Sequence, residues 1–160
     1  MYGHKEVIAV LLENDARDDL HSASARSDLE AIEELLAGGS DPLSVNRGGE
    51  TALMWACTRG NDEAIRLLLK AKANIDAKDQ HGFTALMTAS QGGHLEAMKI
   101  LLAARADVNA REPEDGETAL AMALHCARNE AAQLLIAHGA EKPQAAGQGG
   151  EGSLPSSPTR

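Results

Sequence analysis

Histidine and cysteine are the side chains of this 160-residue chain best suited to metal binding or nucleophilic chemistry. The cysteines are Cys57 and Cys126, and the histidines are His4, His21, His81, His94, His125 and His138. Neither cysteine belongs to a Cys-x-x-Cys pair, and no two histidines stand at ligand spacing with a third donor, as a zinc site requires. We therefore predict neither a metal site nor a cofactor site.

Motifs of other catalytic classes are also missing from the sequence. It has neither the Gly-x-Ser-x-Gly of a hydrolase nucleophile nor a phosphate-binding loop. The acidic pairs at positions 18–19 and 33–34 are better interpreted as helix caps and solvated helix faces than as an acid–base couple. Because no group of residues has the pattern of a catalytic site, we predict that the chain is not an enzyme.

A repeated sequence motif organises the chain. The Thr-Ala-Leu run at 51–53 returns at 84–86 and again at 118–120. The second step is longer than the first by a single position, which falls within 112–115. A unit of about 33 residues is too small to bury its own apolar face, so the regular period indicates a stack of repeats.

Each unit has the pattern of two short helices. The predicted helices cover 20–25 and 28–37, 52–59 and 62–71, 85–91 and 95–104, and 119–127 and 130–138. In the second helices the apolar residues recur at spacings of three and four, as on a helix face turned toward a core. They are Ile65, Leu68 and Leu69, then Met98, Leu101 and Leu102, then Ala132, Leu135 and Ile136. Short polar side chains are expected to cap the helix starts, at Asp18 for the first helix and at Asp28, Asn61 and Asn129 for second helices.

The helix starts at 51–56, 84–89 and 118–123 and the Ala-Asp-Val-Asn turn at 106–109 resemble the ankyrin-repeat family, over roughly residues 18–142. The resemblance implies an all-α solenoid of stacked helix-turn-helix units with short β-hairpin loops. We expect four repeats, at 18–45, 46–78, 79–111 and 112–142. A partial repeat or capping helix at 1–17 precedes them, and a disordered tail at 143–160 follows. The alternative interpretation of the first segment is a fragment whose natural chain continues upstream.

Departures from the family pattern indicate an array of modest stability. The motif histidine is retained only at His21, so the side-chain hydrogen bonds usual at that turn are expected to be absent at Met54, Met87 and Ala121. The first-turn proline of the family is alanine in each full motif. Lys72 and Arg105 stand where a glycine in left-handed conformation usually ends the second helix, at a cost of about 1 kcal/mol.

Composition restricts the partners that the chain can bind. Its net charge is −9, and alanine makes up for a scarcity of Leu, Ile, Val and Phe. The acidic balance argues against nucleic acid and membrane surfaces, which attract clustered Lys and Arg. No apolar run approaches the ~18 residues of a transmembrane helix, and no secretory signal pattern is present, so we expect the protein in the cytosol or nucleus. We also expect it to be a monomer.

The two cysteines are expected to remain reduced. Cys57 and Cys126 fall in first helices two repeats apart. Because neighbouring helices pack about 10 Å apart, the two cysteines should be separated by roughly 20 Å. A disulfide requires Cα atoms within about 7 Å of each other. The predicted fold therefore keeps the two thiols too far apart to pair within one chain.

The resemblance implies that a protein or peptide partner binds on the hairpin tips and the exposed side of the first helices. The candidate partner-binding residues are Arg47, Glu50, Thr58, Arg59, Lys78, Gln80, His81, Phe83, Gln91, Arg111, Glu114, Glu117 and His125. Phe83 is either a binding anchor or packed on a neighbouring hairpin, and Trp55 is either partly buried between repeats or an exposed contact. A second hypothesis, favoured by the incomplete first segment, is a structural ankyrin segment of a larger protein whose activity lies elsewhere.

Overall fold

The computed structural model describes residues 19–141 of the chain. The segment at 1–17, the predicted cap Asp18 and the tail at 143–160 lie outside these residues. The described part contains eight α-helices in four consecutive pairs, close to the predicted bounds at every end. They are α1 (Leu20–Arg26), α2 (Leu29–Ala37), α3 (Ala52–Arg59), α4 (Asp62–Lys70), α5 (Ala85–Gly92), α6 (Leu95–Ala103), α7 (Ala119–His125) and α8 (Asn129–Ala137).

The pairs stack side by side as two rows of helices. Each first helix packs on the next first helix, so α1, α3, α5 and α7 form one row, and α2, α4, α6 and α8 form the other. Between the pairs the backbone of the described residues forms tight turns with a single isolated bridge, Val45 to Thr51, and no strand. The architecture is the all-α solenoid expected from the repeat.

Aliphatic side chains fill the space between successive pairs. Leu68, Leu101 and Leu135 have no exposed surface, as predicted for the inward face of the second helices. The prediction for Ile136 was wrong, because its side chain is 46% exposed. Leu102 occupies the equivalent place one repeat earlier and is half-buried against the core. No further helix pair follows α8 among the described residues, so Ile136 stays open to solvent.

The starts of the second helices are capped in two of the three predicted cases. Asp28 and Asn61 each accept a hydrogen bond from the backbone N–H three positions later, at 3.1 Å. The prediction for Asn129 was wrong, because this residue is the first of α8 and its side chain does not cap the helix. Arg128 takes the N-cap position instead and makes no side-chain cap hydrogen bond.

The first helices begin at side-chain caps as well. In α3, α5 and α7 the cap is the threonine of the repeated motif. For α1 the cap is Asp19, immediately after the predicted Asp18, and its carboxylate accepts the N–H of Ser22 at 2.7 Å. The cap hydrogen bonds satisfy backbone donors that the first turn of a helix leaves unpaired.

The methionines that replace the motif histidine keep part of its role, contrary to the expectation from sequence. The Sδ atoms of Met54 and Met87 accept the backbone N–H of Thr51 and Thr84, each at 3.4 Å. His21 behaves as expected, since its Nε2 lies 3.0 Å from the carbonyl oxygen of Ser44, to which it donates. A thioether is only a weak acceptor, so the methionine version of this turn is the weaker one.

The ends of the second helices confirm the predicted strain. Lys72 and Arg105 have φ of 70° and 67°, in the left-handed region that disfavours residues with a Cβ. The first pair has Gly39 in the same place, with φ of 88°. Two of the four helix pairs therefore end on an unfavourable residue.

Candidate interaction surface

One polar side chain organises each of the three turns between helix pairs, which we call the hairpin tips. Asn46, Asp79 and Glu112 follow one another at equal steps, each the length of the repeat. Oδ1 of Asn46 and of Asp79 accepts the N–H groups two and four positions later, over 2.8–3.0 Å. These bonds fix the backbone of a surface turn that would otherwise fluctuate.

The third tip is longer by a single position, and Glu112 is the side chain that accommodates the insertion. Its carboxylate accepts the N–H groups of Glu114, Asp115 and Glu117 at 2.8, 2.6 and 3.0 Å. Three backbone donors hold the pKa of Glu112 below its ordinary value. Glu112 is only 7% exposed. The insertion was predicted here but this role was not, although the equal spacing of the three polar residues was a signal for it.

Neighbouring tips are bonded to one another. The N–H of Gln80 donates to the carbonyl oxygen of Gly48 at 3.0 Å, which joins the first and second tips. Nζ of Lys78 donates to the carbonyl oxygen of Arg111 at 2.9 Å, which joins the second and third. The tips are therefore held as one row along the stack.

The other ends of the first helices are also joined across repeats. Nε2 of His94 lies 3.1 Å from the carbonyl oxygen of Thr58, and Nε of Arg128 lies 3.3 Å from that of Gln91. A Cβ added to Gly60 would lie 2.5 Å from the His94 ring, so glycine is needed there for close approach. His94 therefore links two successive repeats.

The candidate partner-binding residues lie along the tips and at the C-terminal ends of the first helices. The exposed ones are Arg47, Thr58, Arg59, Lys78, Gln80, His81, Gln91, Arg111, Glu114 and His125. The half-buried ones are Glu50, Phe83 and Glu117. At every one of these positions, part of the side chain is therefore accessible to solvent.

The basic side chains of this surface divide into those with partners and those without. Arg111 pairs with Glu141 at 3.2 Å, and Nδ1 of His125 lies 2.9 Å from Oε1 of Glu117. Neither Arg47 nor Arg59 forms a hydrogen bond or an ion pair with any residue that the structure describes. Both of the uncommitted guanidinium groups lie in the second predicted repeat.

Both candidate aromatic residues are half-buried. Phe83 packs against the core, and its ring meets that of His81 edge-on, with centroids 6.4 Å apart. Trp55 shows the partial burial that was one of the two alternatives. The packing of Phe83 leaves part of its side chain exposed, so its role as an anchor stays a prediction.

Two exposed aliphatic residues of the first tip were missed in the sequence analysis. Leu43 is 55% exposed and Val45 is 57% exposed. Counting back from the motif threonine, the same positions in the second tip hold Asp76 and Lys78. Apolar residues where the next copy carries polar ones were the signal that could have found them.

The cysteines and the potential metal ligands of the described residues are dispersed over the fold. Cys57 and Cys126 are both free thiols, and burial raises the pKa of Cys57, which makes that thiol unreactive. The described part of the chain brings no three histidine, cysteine, aspartate or glutamate residues together as a metal would need. It also contains no helix long and apolar enough to span a bilayer.

Comparison with known families identifies the repeat. A family model described as ankyrin repeats, in three copies, matches residues 20–112, more than half of the chain. The matched region runs from α1 into the third tip, and the fourth helix pair follows it with the same packing. No curated protein is significantly similar to the chain.

Proposed function

Because the chain belongs to the ankyrin-repeat family, we propose that it binds a protein or peptide partner, without catalysis, on its hairpin tips and first-helix ends. Ankyrin repeats are generally protein–protein interaction modules and are typically non-catalytic. The observation that carries the proposal is a row of exposed polar side chains on a backbone that is bonded from repeat to repeat.

Preorganisation is the physical basis of this role. Asn46, Asp79 and Glu112 fix the tips before any partner arrives, and the bonds between tips fix their spacing. Ordering a loop or a side chain at an interface costs free energy that lowers affinity. A surface that is already ordered avoids most of that cost on its own side.

The proposed partner is a protein or peptide, with nucleic acid and membrane disfavoured by the net charge of −9. One copy of the chain carries all of the candidate residues, so we propose that it acts as a monomer. The compartment stays the prediction made from the sequence, the cytosol or the nucleus.

Affinity capture with paired charge-reversal variants tests the proposed face. Arg59→Glu, Phe83→Ala and His81→Ala change the face, whereas Arg66→Glu changes an exposed arginine on α4 in the other row. We expect a partner recovered with the wild type to be reduced about tenfold by Arg59→Glu, which is about 1.4 kcal/mol. Arg66→Glu should leave recovery unchanged, and melting temperatures should show that every variant is folded. A partner that tolerates all three face variants would place the binding surface elsewhere.

The second candidate function is a structural segment of a larger protein. It is favoured by the far end of the stack, where Leu124 is 48% exposed although its repeat equivalents Cys57 and Ser90 are fully buried. An apolar residue exposed at this position is suited to packing against a further repeat. A native protein in cell extract with a mass well above that of this chain would support this role, and one of the same mass would exclude it.

A further inference from the structure

The residues equivalent to Leu43 and Val45 form different contacts in the three hairpin tips. In later tips these positions are used within the molecule, since Oδ1 of Asp76 accepts the N–H of Asp107 at 2.8 Å. The amide of Asn109 likewise bonds to the backbone of the segment after α8, at 2.9 and 3.3 Å. Leu43 cannot form such bonds, and its side chain is left to solvent.

A cation without a partner follows the two aliphatic residues along the same tip. Arg47 follows Val45 by two positions, is exposed, and has no partner among the residues that the structure describes. The tip that holds it is fixed by Asn46, whose Oδ1 accepts two backbone N–H groups. We call Leu43, Val45 and Arg47 the docking strip.

We propose that the docking strip is the anchor of the partner-binding face and takes an acidic peptide segment with a carboxylate beside two large apolar side chains. The inference rests on the proposed function and names the chemistry of its partner. Burial of the exposed parts of Leu43 and Val45 supplies the non-directional part of the affinity. The guanidinium of Arg47 offers a planar donor pair that matches a carboxylate, which sets the orientation of the peptide.

The charge of the whole chain does not prevent this pairing. At physiological ionic strength the screening length is about 8 Å, so a bound carboxylate responds mainly to the nearest charges. The cation of the strip is Arg47, which forms no ion pair with any residue that the structure describes. The carboxylates of Asp41 and Glu50 on the same tip accept the N–H of Leu43 and the side-chain amide of Asn46 instead. A basic peptide would meet an unpaired positive charge at this site, and the resulting repulsion disfavours it.

A phage-displayed library of random peptides, selected on the immobilised full chain, tests the proposal without a known partner. We expect the selected peptides to share one aspartate or glutamate close to two large apolar residues. A synthetic consensus peptide then gives a dissociation constant by fluorescence anisotropy, at low and at physiological salt. Binding should weaken as salt increases, because one ion pair is partly screened.

Variants of the strip identify the contact. Leu43→Ser and Val45→Ser should each weaken the consensus peptide about tenfold, and Arg47→Glu should weaken it at least as much. Leu124→Ser is the matched control, because it removes a similarly exposed leucine at the far end of the stack and should leave the dissociation constant unchanged. Melting temperatures near that of the wild type show that the variants are folded.

The outcomes separate this inference from the proposed function. If the strip variants bind normally while Arg59→Glu and Gln91→Ala lose the peptide, the face binds as proposed and the strip is not its anchor. If the selected peptides are basic, or none is enriched over the bare support, the acidic partner is overturned. If peptides bind but neither set of variants weakens them, both proposals fail.

Discussion

At the scale of single residues, Glu112 shows how one side chain supports a surface turn. Its carboxylate receives three backbone N–H groups, where Asn46 and Asp79 receive two in a shorter turn. The longer side chain reaches donors that a shorter one would leave unpaired. Because these bonds favour the ionised form, they connect the stability of the tip to pH.

Glu112→Gln should lower the melting temperature at neutral pH and reduce the loss of stability in acid. The folded pKa of Glu112 lies below its ordinary value of 4.5, so its contribution is complete above that value and is lost as pH falls through the folded pKa. Urea unfolding at a series of pH values from neutral to acid measures this. Glu114→Gln, on the same tip, is the control, and equal pH profiles for the two variants would contradict the prediction.

Thiol labelling should distinguish the two cysteines. Cys126 is exposed, whereas Cys57 is buried and burial raises the pKa of its thiol. We expect one fast equivalent of labelling by a disulfide reagent in the native protein and a second only on unfolding. Cys126→Ser should remove the fast equivalent; a fast reaction that survives this change would mean that Cys57 is accessible.

At the scale of elements, the ends of the second helices limit stability. Lys72→Gly and Arg105→Gly should each stabilise the protein by about 1 kcal/mol, because glycine tolerates the left-handed conformation that both residues adopt. For a domain of this size that is a rise of about 4 °C in melting temperature. Lys70→Gly is the control, since it places glycine at the last residue of α4, where the backbone is helical, and should not stabilise. Lower melting temperatures for the first two variants would contradict the prediction.

The helices could be predicted because their signals are local and repeated. The apolar spacing and the cap at Asn61 each act within one turn of helix, so the sequence shows them directly. The bond of His94 to the preceding repeat could not be predicted, because it depends on how closely two helix ends approach across the stack. The candidate surface was predicted by position, but the exposure of Leu43 and Val45 was missed because aliphatic side chains usually lie in a core.

At the scale of the whole molecule, the described stack ends on an apolar face. Leu124 and Ile136 are 48% and 46% exposed at positions that the next repeat covers elsewhere. Nearest-neighbour stacking gives each terminal pair of the described stack only one partner, so the last pair should be less stable than the two inner pairs. We expect amides of α8 to exchange with deuterium faster than those of α4 and α6; slower exchange in α8 would contradict this.

A matched substitution separates the end of the stack from its middle. Ile136→Lys should change stability by no more than about 0.5 kcal/mol, because the side chain is already partly in water. Leu102→Lys, at the same place one repeat earlier, should cost about 2 kcal/mol, because Leu102 packs against the core. Equal losses in urea unfolding would show that the two positions are equivalent.

The extra residue held by Glu112 has a consequence for how such a protein changes over generations. An insertion in a tip can lengthen the loop while the adjacent helices keep their packing. Selection for a stable stack and selection for a particular binding surface can therefore act separately. Insertions at these turns can then be tried and kept without redesigning the interior. The same chain architecture can thereby acquire new specificities through its loops alone.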